Sequence, residues 1–126
     1  MRGDHIGVGM QGEDAAVAWL ESRGWRILSR GERIAGVEVD AVAADPAGRA
    51  MVVVEVKCRR DSAGLARPEE NVDRGKIHRL ARAAHALQRP AARRGLSVRV
   101  DVVAVSLGDA GPSSHRIVHF QDVAHG

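Results

Sequence analysis

Aromatic residues are almost missing from this chain: two tryptophans, one phenylalanine and no tyrosine in 126 residues. Base stacking on aromatic platforms therefore finds little support as a way of holding single-stranded nucleic acid. Cysteine occurs once, at Cys58, which excludes an intrachain disulfide framework and a multi-cysteine zinc site and suggests a reducing compartment. No apolar run approaches the roughly 20 residues of a membrane-spanning helix. The opening Met-Arg-Gly-Asp-His-Ile-Gly has no apolar core of the secretion-signal kind. The expectation is a cytoplasmic protein, near the nucleoid if it binds DNA, with no membrane partner. A Walker glycine loop, a Rossmann fingerprint and internal repeats are also absent. Lysine is scarce, 2 against 17 arginines. A GC-rich genome favours arginine and alanine codons, so the arginine count alone says little.

Apolar residues make up 44% of the chain, enough for the core of one domain spanning 1–126. The net charge of +3 is unevenly placed. Residues 57–99 hold 12 basic and 4 acidic side chains, a net of +8, while residues 1–56 net −3 and residues 100–126 net −2. A central basic block on a mildly acidic protein suits a phosphate-facing surface. A solvated helix face is the alternative.

The pattern predicts a helix from about Val8 to Arg23, with Ala16, Val17 and Leu20 at helical spacing and Gly24 as its stop. Glu13 belongs to the same stripe, where a carboxylate needs a partner or a metal. Trp25–Arg30 reads as a short strand, and Gly31 and Gly36 flank a connection. Val37–Val42 alternates at period two, placing Val37, Val39 and Ala41 on one face and Glu38 and Asp40 on the other. Asp45-Pro46-Ala47-Gly48 is a turn, which makes the next strand antiparallel. That strand, Met51–Cys58, is continuous and β-branched, as a strand covered on both faces is. Glu55 and Lys57 share a face, opposite Val52, Val54 and Val56, and Cys58 turns away from the acids. A loop over 60–73 leads into a helix whose stripe is Ile77, Leu80, Ala84 and Leu87. Pro90 supports an ending near Gln88, with Lys76 at the margin between faces. A short basic connector follows, then a strand over Ser97–Val105, a flexible loop over Gly108–Ser114 and an edge strand over Arg116–Phe120. This order describes an α/β fold with a mixed sheet. Trp19 and Trp25 are expected to pack beside the first helix. His78 and His85 sit on a basic helix face and suit solvent or phosphate better than zinc. His115, His119 and His125 show no evident partners.

Asp40 and Glu55 lie on adjacent strands joined by a short turn, so their side chains can converge. Two carboxylates and a backbone carbonyl, here that of Val56, supply the hard oxygens that Mg²⁺ or Mn²⁺ prefers. Lys57, on the face of Glu55, can orient or deprotonate a water or stabilise charge developing on a phosphate. The alternative is a structural ion pair of Asp40 or Glu55 with Lys57. Glu13 fits as a further carboxylate from the first helix, or as a half-buried acid paired with Lys57 or Lys76. Glu38 and Lys76 fit assisting positions around the site. Arg59, Arg60, Arg74, Arg79, Arg82 and Arg89 are the candidate phosphate contacts.

Nearly the whole chain resembles a bacterial family. The matching segments are Gly12-Glu13, Gly36-Val-Glu-Val-Asp40, Val53-Val-Glu55-Val-Lys57-Cys-Arg59, Lys76-Ile-His-Arg-Leu80 and Arg99-Val-Asp-Val-Val-Ala-Val105. They look like the YraN-type proteins, which are similar to archaeal Holliday-junction resolvases and belong to the restriction-endonuclease-like PD-(D/E)xK superfamily. Val37-Glu38-Val39-Asp40 stands where the family usually has Gly-Glu-Ile-Asp, and the superfamily's proline is absent. The resemblance implies a five-stranded mixed sheet flanked by helices and a Mg²⁺- or Mn²⁺-dependent nuclease. Asp40, Glu55 and Lys57 would form its catalytic arrangement, and Glu13 would match the helix glutamate of the resolvase branch. It further implies DNA as the substrate, branched or recombination and repair intermediates among the choices, and a homodimer by analogy with enzymes that cut two strands symmetrically. A non-catalytic DNA-binding module retaining the fold, and an RNA-directed nuclease, are the alternatives.

Overall fold

The computed structural model describes residues 2–60 and 74–124, and side chains from Gly9 to Arg59 and from Arg74 to Ala124. The loop expected over 60–73 lies outside the described residues except for Arg60, the last residue of a strand. The Arg60 side chain lies outside them as well.

Five strands form one sheet in chain order: β1 (Arg26–Ile34), β2 (Val37–Ala44), β3 (Ala50–Arg60), β4 (Ser97–Leu107) and β5 (Arg116–Phe120). β3 and β4 are parallel and every other neighbouring pair is antiparallel. The mixed five-stranded α/β sheet expected from the sequence is thus present. Helix α1 (Arg2–Ser22) packs on β3 and β4, whereas α2 (Arg74–Ala86) and the short α3 (Gln88–Arg93) lie within the β3-to-β4 crossover.

Each face of the sheet has its own core. On the α1 side, Ala16, Leu20 and Trp25 pack with Ala41, Ala43, Val52, Val54, Val103 and Val105. On the other, Leu80, Ala83 and Ala91 pack with Val37, Val39, Val42, Met51 and Val53. Coverage on both sides explains why β3 is apolar without interruption up to Glu55. In α1 the buried row is Gly12, Ala16 and Leu20, one position every four residues. A Cβ at Gly12 would collide with the Cys58 side chain. Only glycine therefore lets α1 lie this close to β3, which carries Glu13 in beside it.

Several expectations need correction. β1 runs on to Ile34, and Ala35 and Gly36, both at positive φ, close a two-residue hairpin between Ile34 and Val37, as type I′ turns do. Trp25 precedes this strand and is buried in the core. Ala41 does not share a face with Val37 and Val39: it packs on the α1 side and they pack on the α2 side. The period-two alternation therefore does not carry across Asp40. The basic connector after Gln88 is helix α3, with Ala91 buried. Pro90 falls in its first turn, where a missing N–H does no harm.

His119 does have a partner. Its Nε2 lies 2.8 Å from Oδ2 of Asp101, a fully buried carboxylate. Arg99 Nε donates to Asp101 Oδ1 at 3.0 Å, and the Asp122 backbone N–H donates to the same oxygen at 2.9 Å. Trp19 and Trp25 meet the His119 ring edge-on. This network ties β5 and the segment after it to β4. Burial alone would push Asp101 up, but the bonds from His119, Arg99 and the Asp122 N–H prevail and hold it below the ordinary 3.8. Its contribution is therefore complete above that value and is lost as pH falls through the lower folded-state value. Asp101→Asn is expected to lower unfolding stability by about 3 kcal/mol at pH 7, measured by urea denaturation. The gap should narrow below about pH 4.

Candidate active site

The β2–β3 ladder pairs Ala44 with Met51, Ala43 with Val52, Val42 with Val53 and Ala41 with Val54, and then stops. The next pair in register would be Asp40 and Glu55. β3 keeps its parallel partner β4 to the end, through Arg60 and Leu107, so it is β2 that leaves. At the fork the Val56 backbone N–H donates to Asp40 Oδ2 at 2.7 Å. A side chain has taken over an N–H that the ladder no longer serves, as a partly buried donor requires.

A pocket of about 310 Å³ opens at this fork. Glu13 from α1, Asp40 from β2, Glu55, Val56 and Lys57 from β3, and Lys76 from α2 all line it. Four elements distant in sequence thus bring together every residue singled out as catalytic or metal-holding, and Lys76 besides. Cys58 also borders this pocket, although its alternation had placed it away from the acids. It packs against Gly12, and α1 crosses the strand at that point.

Charge in the pocket is unevenly balanced. Glu55 is buried, and Lys76 Nζ contacts its Oε2 at 2.7 Å. The buried carboxylate is thus paired with Lys76, where the sequence had suggested Lys57. Burial, then the charge of Asp40 beside it, push Glu55 up to about 7, although Lys76 pulls the other way. Glu13 is raised by burial, then by Asp40, with Arg30 opposing. Lys76 is raised by its hydrogen bond to Glu55, which outweighs its own burial. Adjacent carboxyls that resist joint ionisation are short of positive charge. Lys57 and Lys76 are the chain's only two lysines, and both line this pocket. Against 17 arginines that scarcity is a signal readable without a structure, and it would have raised Lys76 to equal standing with Lys57.

Among the described residues, no three His, Cys, Asp or Glu side chains close into a metal-binding cluster. The oxygen donors that could hold a metal here are the Glu13, Asp40 and Glu55 carboxylates and the Val56 carbonyl. That incomplete shell fits Mg²⁺ better than a metal needing an all-protein cage, because Mg²⁺ keeps several waters and takes substrate phosphate oxygens.

Glu38 is not in this pocket. It is exposed and lines a neighbouring groove with Arg33, Lys76 and Arg79. Arg74, Arg79, Arg82 and Arg89 are exposed on α2 and α3, and Arg59 is half-buried near the end of β3. Arg33 had no distinguishing pattern in the sequence. It lines the groove because the β1–β2 hairpin and α2 meet there. No helix among the described residues is long and apolar enough to cross a membrane.

These features define a class: an α/β protein whose mixed sheet forks at a pocket holding three acids and two lysines. Within it, the chain belongs to the uncharacterised protein family UPF0102, the YraN-type family, whose model matches residues 12–105. That span contains Glu13, Asp40, Glu55, Lys57 and Lys76. A UPF0102 protein of Mycobacterium sp. (strain KMS) is 40% identical over 119 residues, covering 93% of this chain and 84% of the relative. One from Anaeromyxobacter dehalogenans (strain 2CP-C) is 41% identical over 113 residues, covering 90% and 80%. One from Bacteroides thetaiotaomicron is 40% identical over 119 residues, covering 94% and 93%. Among solved structures, a repair endonuclease from Pyrococcus abyssi is similar at a TM-score of 0.48 and 24% sequence identity, over 82% of this chain and 40% of that one.

Glu55 gives the pocket a measurable pH signature. Its folded-state value lies above the ordinary 4.5, so the native state binds the proton more tightly than the unfolded chain does. Stability is then greatest below 4.5 and declines as pH rises towards 7. With EDTA present, the parent should lose about 1–3 kcal/mol between pH 5 and pH 8 relative to Glu55→Gln. Thermal unfolding of the two proteins across that range is the check.

Proposed function

We propose that this protein is a Mg²⁺- or Mn²⁺-dependent endonuclease that hydrolyses phosphodiester bonds in DNA, acting in the cytoplasm. The convergence of Asp40, Glu55 and Lys57 in one pocket, with Glu13 beside them, carries this reading. The resemblance to resolvase-like nucleases in the same residues supports it, as does the exposed arginine face of α2.

Asp40, Glu55 and the Val56 carbonyl would hold the ion. Such an ion, when bound, polarises a phosphoryl oxygen and makes water more acidic. The other tasks fall to the chain's own groups. The Val56 N–H holds the Asp40 carboxylate in one orientation, and Lys76 does the same for Glu55. Lys57 Nζ stabilises the negative charge that builds on the phosphate oxygens in the transition state. Glu13, whose proton affinity is raised by burial and by Asp40, is suited to take a proton from the attacking water. Branched recombination and repair intermediates are the substrates this reading favours.

One observation favours a second reading. The Lys76–Glu55 ion pair already compensates part of the pocket's charge without a metal, as a binding module that retains the fold without catalysis would. Labelled junction, flap and duplex DNA, with matched RNA, separate the two when incubated with Mg²⁺ or Mn²⁺. The parent is expected to cut at least one DNA, with Asp40→Asn and Lys57→Ala each slower by about 100-fold or more. Equal rates in all three proteins would overturn the assignment. DNA binding without cleavage, indifferent to metal, would establish the second reading, and cleavage of RNA alone would redirect the first.

A further inference from the structure

We propose that the groove between the β1–β2 hairpin and α2 is a second phosphate-binding site, one that holds the nucleic-acid backbone next to the phosphate in the acidic pocket. The inference rests on the nucleic-acid reading above and assigns the strand a path.

The groove has a volume of about 280 Å³ and is lined by Arg33, Glu38, Lys76 and Arg79 above a floor of Val37 and Leu80. Lys76 lines both this groove and the acidic pocket, so the two cavities adjoin across one side chain. A ligand too large for the pocket alone would continue into the groove. The cations come from opposite walls. Arg33 belongs to β1, and its guanidinium donates to the Gly36 carbonyl at 3.1 Å, which keeps it over the hairpin turn. Lys76 and Arg79 are three residues apart on α2 and so share a helix face. Lys76 is already paired with Glu55, so the groove sets two guanidinium groups, Arg33 and Arg79, against one carboxylate, Glu38. Guanidinium groups match the paired oxygens of a phosphodiester better than a point charge does. The floor residues are buried core members, so the base of the groove is set by the fold. Arg33 lies in the part of the chain whose net charge is −3, and a footprint drawn from the basic block alone omits it.

The test is fluorescence anisotropy with labelled duplex DNA, single-stranded DNA and RNA of one sequence, in EDTA, over a range of salt. The proteins are the parent, Arg33→Ala, Arg33→Lys, Glu38→Gln and Arg23→Ala. Arg23 is an exposed control in the turn after α1, stacked over Trp19. Arg33→Ala should bind about three- to tenfold more weakly and reduce the slope of log K against log salt by about one. Arg33→Lys should recover most of that loss, Glu38→Gln should bind more tightly, and Arg23→Ala should match the parent. The preferred nucleic acid among the three identifies the source of the phosphate. Parent-like binding by both Arg33→Ala and Glu38→Gln would overturn the groove while leaving the nuclease reading intact. So would an equal loss from Arg23→Ala. Failure of the parent to bind any of the three at low salt would overturn both. Unfolding midpoints, with Arg33→Lys and Glu38→Gln as mild changes, separate a lost contact from a lost fold.

Discussion

The site depends on the place where β2 stops pairing with β3. Up to Ala41 and Val54 the two strands form an ordinary antiparallel ladder. One residue further, the ladder would set Asp40 directly against Glu55. Like charges opposed in a sheet destabilise the pairing, and the strands separate there. β3 stays anchored to β4 on its other edge, so the separation opens a fork without loosening the sheet. The Val56 N–H freed by the fork goes to Asp40, which fixes the carboxylate at the pocket's edge.

Around that fork the molecule keeps a charge arrangement that does not favour its own folding. Glu55 is buried beside Asp40, and its proton affinity rises to about 7. Glu13, carried in where Gly12 lets α1 approach Cys58, is raised for the same two reasons. Lys76 offsets part of this from across the pocket. Perturbed acids gathered in one cleft are a mark of functional sites, although structural ion pairs also perturb proton affinities. The contrast with Asp101 is instructive. That carboxylate is more deeply buried, yet His119, Arg99 and the Asp122 N–H hold its proton affinity down. One buried acid is held ionised by three hydrogen bonds, and the other, paired with Lys76 beside Asp40, holds its proton more tightly.

Much of this was legible in the residues. The mixed sheet, the turn at Asp45, the opposed acids and the glutamate on the helix stripe all follow from spacing. β5 was located to the residue. The errors share a cause, since each depended on something outside the local pattern. Ala41 was assigned to the wrong face because strict alternation does not foresee a fork. α3 was read as a connector because six residues with Pro90 among them carry too little periodicity. His119 lacked a partner on paper because Asp101 lies 18 positions away and reaches it through the β4–β5 pairing. Glu38 stands apart from these: a period of two puts it on the side of Asp40 at the outer end of the site, and it lines the groove next to the pocket.

The chemistry present can be read residue by residue: carboxylates at 13, 40 and 55, two lysines in an arginine-rich chain, and strands long and apolar enough to bury. Those features reside in side-chain identity and local period. Which charges meet was decided only by the tertiary structure. Lys76 reaches Glu55, and Arg33 lines one groove with Arg79, because α2 packs across β2, β3 and β4. No local rule encodes that packing, because it is set by both cores together.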